Sequence, residues 1–144
     1  MNQANANQAN VAQTKMTDHA THLAIDTSLC GKVVKLEPNY AEVLLHTTHS
    51  MAADALGLVH GGFVFGAADF AAMSVVNDPL VVLGASTCRF VAPVKTGDVV
   101  LCKARVISEK GKKREVKVQA FVDEKPVFEG NFTTFVPDKH VLSV

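Results

Sequence analysis

The chain has 144 residues, of which 48% are hydrophobic and 19% charged, so it is long enough for one domain with a substantial buried core. Its 14 basic and 14 acidic residues cancel, and this balance does not favour nucleic acid or an anionic membrane as a partner. Three cysteines, Cys30, Cys88 and Cys102, are odd in number and lack CxxC spacing, which argues against a disulfide framework and a zinc ribbon.

The amino-terminal segment is repetitive and polar. It consists mainly of Asn, Gln and Ala, so we predict a disordered tail over residues 1–17 and a single domain over residues 18–144. No basic stretch is followed by an apolar one, so we expect no signal peptide and a cytoplasmic protein. Met16 is an alternative start. A short helix is predicted over residues 18–25.

Two strands, over residues 31–36 and 40–48, are predicted to form a hairpin around a turn that contains Pro38. His46 and His49 lie near the end of this hairpin. No carboxylate or cysteine completes a recognisable set of metal ligands with them, so we expect no metal site.

The next stretch, residues 61–77, is rich in Ala, Phe and Met and is longer than an ordinary strand, which predicts a helix. It begins after a His-Gly-Gly turn and ends before Pro79, because proline excludes the α conformation from the residue before it. Apolar or small residues lie on every face, as in a helix buried on all sides. A membrane span would need about 20 apolar residues and rarely has an Asp at its centre, so that alternative is disfavoured.

Four more strands are predicted, over residues 81–92, 98–108, 114–123 and 127–136. Alternation is clearest in the third, where the apolar face carries Val116, Val118, Ala120 and Val122. Because successive connections are short, consecutive strands are expected to pair antiparallel, and only the long helix can cover their apolar face. The predicted fold is α+β: a curved antiparallel sheet wrapped around one long buried helix.

Asp69 is a lone carboxylate in the middle of this apolar helix. At helical spacing it shares a face with Phe65, Gly66, Ala72 and Met73, none of which offers it a charge. Burying an ionised carboxylate without a partner costs several kcal/mol. Asp69 therefore either caps a neighbouring loop or acts as a general base or nucleophile whose pKa its apolar surroundings raise.

His60, Gly61 and Gly62 lie at the start of the helix, where unpaired backbone N–H groups and the positive end of the helix dipole can hold an oxyanion or polarise a carbonyl. A simple tight turn is the alternative interpretation. Nine residues of helix separate His60 from Asp69, a distance of roughly 13 Å. A site that uses both residues therefore needs Asp69 from a second chain.

The order of strands, the sequence VHGGFVFGAADFAAM and the following RFVAPVKTGD resemble the hotdog-fold acyl-CoA thioesterases, in particular the phenylacetic-acid-degradation type. This resemblance covers residues 30–136. It implies an acyl-CoA substrate, no cofactor beyond the CoA of that substrate, and active sites at a homodimer interface, with two dimers commonly forming a tetramer. It also implies that Asp69 activates water or attacks the thioester, that the Gly61 N–H polarises the carbonyl, and that His60 orients substrate or assists the leaving thiolate.

Four further residues are candidate substrate contacts: Gly62, Asp54, Phe63 and Arg89. Asp54 occupies a position where many relatives carry Asn, and Leu83-Gly84 replaces a common Ser or Thr, for which Ser86 or Thr87 is a substitute. Arg89 is either a solvated strand residue or an anion contact for an acyl carboxylate or a CoA phosphate.

Three alternatives stay open. The segment 83–104 also resembles the effector domain of bacterial fatty-acid-synthesis repressors that sense malonyl-CoA, so a non-catalytic acyl-CoA sensor is the main rival; those regulators carry Asn where this chain has Asp69. An enoyl-CoA hydratase on the same fold is less favoured because no second Asp/His pair is found. The basic run Lys110, Lys112, Lys113 and Arg114 is either a rim for CoA phosphates or a solvated turn.

Overall fold

The computed structural model describes residues 17–143, and the tail predicted over residues 1–17 lies outside that range except for its last residue. No helix in the described part of the chain is long and apolar enough to cross a membrane. In chain order the elements are α1 (Thr27–Cys30), β1 (Lys32–Glu37), β2 (Tyr40–His46), a 3-10 turn (His49–Met51), α2 (Gly61–Val76), β3 (Val82–Phe90), β4 (Val99–Lys110), β5 (Lys113–Val122) and β6 (Lys125–Phe135).

All six strands form one antiparallel sheet in the order β1-β2-β4-β5-β6-β3. The predicted α+β class and curved-sheet architecture are confirmed. The expectation that every consecutive pair of strands is adjacent was wrong for β3, which pairs with β6 and not with β4. The long α2 lies between the hairpin and β3, so β2 is free to pair with β4, and β3 closes the opposite edge. One side of β3 therefore stays unpaired within the described chain.

The long helix α2 packs on the apolar face of the sheet, mainly against β2, β4 and β5. Its buried residues include Ala67, Ala68, Ala71 and Ala72, whose small side chains let the helix approach the strands closely. The predicted bounds are confirmed, since α2 ends at Val76 and Asn77 takes the left-handed conformation that closes many helices. The alternation predicted for β5 is confirmed as well, because its apolar face is buried under α2.

The helix predicted over residues 18–25 was wrong. This segment is an extended strap, defined here as residues 17–25, that lies against the last turns of α2. The Ala20 N–H donates to Asn77 Oδ1 at 2.7 Å, and Asn77 Nδ2 donates to the Asp18 carbonyl at 2.8 Å. Since these backbone groups bond to α2, and His22 takes a φ of +55°, the strap has no helical ladder of its own. A four-residue helix, α1, forms just after it.

Two histidines fix the strap against α2, and they make its attachment dependent on pH. The rings of His19 and His22 lie 5.8 Å and 6.1 Å from the ring of Phe70, and His19 Nε2 is 3.2 Å from Ser74 Oγ. Burial lowers the pKa of both imidazoles, and His19 lowers that of His22 further. Folding therefore favours the neutral imidazoles. The stability that they contribute to the folded state is present above the ordinary pKa of about 6.5 and is lost as pH falls below it.

We expect the strap to loosen as pH falls from 7 to 5. The measurement is the hydrogen-exchange protection of the Ala20 amide, corrected for the intrinsic pH dependence of exchange. The double variant His19→Gln/His22→Gln is the control, and its protection should lack this pH dependence. Equal pH dependence in both proteins would contradict a role for the two histidines.

Candidate active site

Asp69 lies in the third turn of α2, and its carboxylate is incompletely paired. The atom Oδ1 is buried and has no hydrogen-bond partner among the described residues. This excludes the loop-capping alternative for that oxygen, because a capping carboxylate accepts from backbone N–H groups. One turn earlier, a Cβ built on Gly66 would meet no heavy atom within 4 Å. Asp69 therefore lies beside open space on its own helix face.

Burial makes Asp69 a weaker acid than an ordinary aspartate. Desolvation raises its pKa from 3.8 to about 6. Burial raises the pKa of the Cys30 thiol at the end of α1, and the charges of Asp26 and Asp69 raise it further. Cys30 is a free, half-buried cysteine, and its thiol does not hydrogen-bond to Asp69 Oδ1. A carboxylate with a pKa near 6 and one buried oxygen that lacks a partner in the described chain has the properties of a general base.

The His-Gly-Gly turn forms the second half of the candidate site. His60 is the N-cap of α2, its side chain makes no capping hydrogen bond, and its ring is exposed. That ring lies over the first turn, where Nε2 would be only 3.0 Å from a Cβ on Gly62 and where it meets Phe63 edge to face at 6.1 Å. A side chain at position 62 would therefore shift the imidazole by a few tenths of an ångström.

The backbone N–H of Gly61 points out of the helix end without a protein acceptor in the described part of the chain. Gly61 is half-buried, and a Cβ at this position would come within 3.3 Å of the Phe90 ring. This arrangement combines a free donor, the positive end of a 16-residue helix and close access for a ligand. It can polarise a carbonyl oxygen.

An apolar cavity of about 350 Å³ adjoins Gly61 and was not predicted from the sequence. Phe90, at the end of β3, forms one wall of it and packs on the buried Phe128 ring at 5.2 Å. Phe90 belongs to the segment RFVAPVKTGD, but which strand lies beside β3 could not be derived from local alternation. Once β3 is known to pair with β6, the neighbourhood of Phe90 and Phe128 follows.

Not all candidate residues are brought together within one chain. His60, Gly61, Gly62 and Phe63 cluster at the start of α2, whereas Asp69 lies roughly 13 Å further along it. Each half of the site is thus incomplete by itself within a single chain.

Arg89 and Asp54 each have partners outside this cluster. Arg89 is adjacent to Phe90 on β3 and so faces the other side of the sheet, where its Nε pairs with Glu129 at 3.5 Å and its side chain is 74% exposed. Asp54 Oδ1 accepts from the N–H groups of Leu56 and Leu58 at 3.0 and 3.2 Å. This carboxylate oxygen shapes the loop before His60.

The basic run at the β4–β5 turn is largely neutralised. Lys112 pairs with Asp138 at 2.9 Å, Lys113 with Glu115 at 3.5 Å, and Arg114 with Glu109 at 3.3 Å. These local ion pairs favour the interpretation of a solvated hairpin turn over a rim for phosphates. In the described range 17–143, no group of three or more His, Cys, Asp or Glu side chains is arranged to hold a metal ion.

A family model described as "Thioesterase superfamily" matches residues 56–129, slightly more than half of the chain. This range contains both the His-Gly-Gly turn and Asp69. The chain belongs to the thioesterase superfamily. The resemblance to hotdog-fold thioesterases is thereby confirmed.

Solved structures of related proteins have the same fold as this chain. An uncharacterized protein, PH1136 from Pyrococcus horikoshii, is 46% identical, with a TM-score of 0.88 over 89% of this chain and 98% of the other. The phenylacetic acid degradation protein PaaI from Thermus thermophilus is 25% identical, with a TM-score of 0.70 over 76% of this chain and 95% of the other. The PaaI type named from the sequence is thus among its structural neighbours.

The curated relatives that this chain matches are longer than the chain itself. A methylthioribose-1-phosphate isomerase from Aquifex aeolicus is 56% identical over 81% of this chain, which spans 26% of that relative. Transcription factor FapR from a Thermoanaerobacter species is 30% identical over 81% of this chain, which spans 58% of FapR. The matched part is thus one section of each relative, and their names describe whole proteins.

Proposed function

We propose that this chain is an acyl-CoA thioesterase that hydrolyses a CoA thioester to the free acid and CoA. The observation that carries the proposal is Asp69: its buried oxygen has no partner within the described chain, and burial raises its pKa to about 6. A structural carboxylate is normally paired, so an unpaired one in a superfamily of thioesterases is best explained by catalysis.

The proposed chemistry divides between the start and the middle of α2. Asp69 accepts a proton from water, and the resulting hydroxide attacks the thioester carbon. The Gly61 N–H donates to the carbonyl oxygen while it carries negative charge. The C–S bond then breaks, and the CoA thiolate takes up the proton held by Asp69, with His60 assisting. In the nucleophilic version Asp69 attacks the carbonyl directly and water hydrolyses the resulting anhydride.

The distance along α2 implies that the two halves come from different copies of the chain. We infer a homodimer that pairs through β3, the edge strand whose central residues, from Ala85 to Thr87, are exposed. A sheet edge offers unpaired N–H and C=O groups that a second strand can satisfy. Phe90 and Val91, 55% and 40% exposed, lie at the end of this edge and would be covered by such pairing. A dimer of dimers is compatible with this arrangement.

A thiol-release assay over short, long and aromatic acyl-CoAs tests the proposal. We expect thiol release above the uncatalysed rate for at least one class. The rival function, a non-catalytic acyl-CoA sensor, is favoured by the similarity to FapR. It requires strong thermal stabilisation by an acyl-CoA without thiol release, and that result would overturn the enzymatic proposal.

The pH profile of hydrolysis should report the raised pKa of Asp69. Because the base must be deprotonated, we expect kcat/KM to fall as pH is lowered, with its midpoint near the Asp69 pKa of about 6. A midpoint near 4, the value of an ordinary carboxylate, would contradict a role for the buried Asp69 as base. The measurement is kcat/KM from pH 4.5 to 8 with the best substrate.

A further inference from the structure

The side chains that line the cavity beside Gly61 are all apolar. All ten residues that line it are apolar or glycine: Leu58, Val59, Gly61, Val64, Phe90, Val91, Ala92, Pro93, Val94 and Val127. We propose that it receives the acyl group of the substrate and that it selects uncharged acyl groups of up to about ten non-hydrogen atoms. This inference rests on the proposed thioesterase function and names the substrate class for that site.

The position of the cavity links it to the reacting carbonyl. Gly61 is both a lining residue and the owner of the unpaired N–H at the start of α2. A thioester whose carbonyl oxygen accepts from this N–H has its first acyl carbons at the cavity wall. Apolar lining is what a hydrocarbon chain requires, because its burial releases water from apolar surface on both partners.

The absence of charge in the lining determines which acyl groups are rejected. An acyl group that ends in a carboxylate would bury that charge among valines, and no cationic or hydrogen-bonding side chain lines the cavity to compensate it. Such uncompensated burial is costly. Arg89, the nearest candidate partner on β3, faces the opposite side of the sheet, where it pairs with Glu129. Malonyl-type and succinyl-type groups are therefore poor ligands for this cavity.

The volume limits the length of the acyl group. At about 30 Å³ for each water-sized group, 350 Å³ holds on the order of ten non-hydrogen atoms. Ligand cavities range from about 300 to 1,000 Å³, so this one is small. Each added methylene should strengthen binding about fourfold until the cavity is full, after which further carbons stay in water and add nothing.

The Phe90 side chain forms one wall of the cavity and therefore sets this limit on length. Phe90 is 55% exposed in the single chain, and its ring lies 3.3 Å from where a Cβ on Gly61 would be. Phe90→Ala should open that wall and extend the length limit to longer chains. Val91→Phe, at a 40% exposed lining position, should fill the cavity and shorten the limit. Phe135→Ala is the matched control, since Phe135 is 38% exposed and does not line this cavity.

Binding of non-hydrolysable ligands tests the inference without requiring catalysis. The probes are S-alkyl thioethers of CoA from ethyl to hexadecyl, measured by isothermal titration calorimetry on the full chain. We expect Kd to fall about fourfold per methylene and to level off near decyl. Carboxyethyl-CoA should bind at least about 100-fold more weakly than its neutral match butyl-CoA. Phe90→Ala should move the plateau to longer chains, and Phe135→Ala should not.

Two results would overturn the inference. One is a Kd that does not depend on alkyl length or terminal charge. The other is an equal loss of affinity in Phe90→Ala for every thioether and for CoA itself, which would mean that the cavity holds the pantetheine arm. If Phe90→Ala fails to fold, Val91→Phe provides the same comparison in the opposite direction. If no thiol is released but Kd still depends on alkyl length as expected, the proposed enzymatic function is refuted. The assignment of the cavity to the acyl group is not affected by that result.

Discussion

Asp69→Asn is expected to lower the rate of thioester hydrolysis by about 10² or more, because removing a positioned general base typically costs this much. The variant keeps the shape of the side chain and should leave the protein folded. The control is Asp123→Asn, the same change on an exposed residue of the β5–β6 turn, which should retain activity. Full hydrolysis by Asp69→Asn across an acyl-CoA panel would refute the catalytic role.

The same substitution should stabilise the protein at neutral pH. Burial raises the pKa of Asp69 from 3.8 to about 6, so folding favours the protonated form. Its contribution to stability is full below pH 3.8 and is lost as pH rises through about 6. Removing the ionisable group should therefore increase the free energy of unfolding at pH 8 by on the order of 2–3 kcal/mol, with no gain near pH 4.

Chemical denaturation of both proteins at pH 4 and pH 8 measures this difference. Loss of activity together with a pH-dependent gain in stability distinguishes a catalytic carboxylate from a structural one, because losing a structural carboxylate destabilises the fold. A variant that is less stable than the native chain at pH 8 would indicate that Asp69 has a stabilising partner.

Two inactive variants are expected to restore each other when they are mixed as one oligomer. In Asp69→Asn the base is missing, and in Gly61→Val a branched side chain covers the N–H donor and presses on Phe90. If each site takes Gly61 from one copy and Asp69 from the other, a mixed dimer has one intact site. The purified mixed dimer should then have about half of the native activity.

Co-expression with two different affinity tags, followed by tandem purification, provides the mixed species for this measurement. The control mixes each variant with itself, which should give no recovery. If the mixed dimer has only the summed activity of its parents, the two residues do not act across an interface. Size-exclusion chromatography of each variant establishes that a failure to recover activity does not come from failed assembly.

The helix, the strand positions and the motif could be predicted from the sequence because each depends on neighbouring residues. Asn77 and Pro79 end α2, and the alternation of β5 identifies its buried face. The strap was mispredicted because its hydrogen bonds go to Asn77, more than fifty positions away in the chain. The cavity was missed for a similar reason: it depends on β3 lying beside β6, a pairing that no local pattern encodes.

The open edge of β3 has a consequence for the life of the protein in the cell. An exposed strand edge that carries a single charge, Arg89, and ends in Phe90 and Val91 is also a template for indiscriminate strand addition and aggregation. Pairing with an identical copy would remove that hazard and complete the site at once. Selection against aggregation and selection for turnover would then act on the same row of backbone groups, so weakened assembly would bring inactivity and insolubility together.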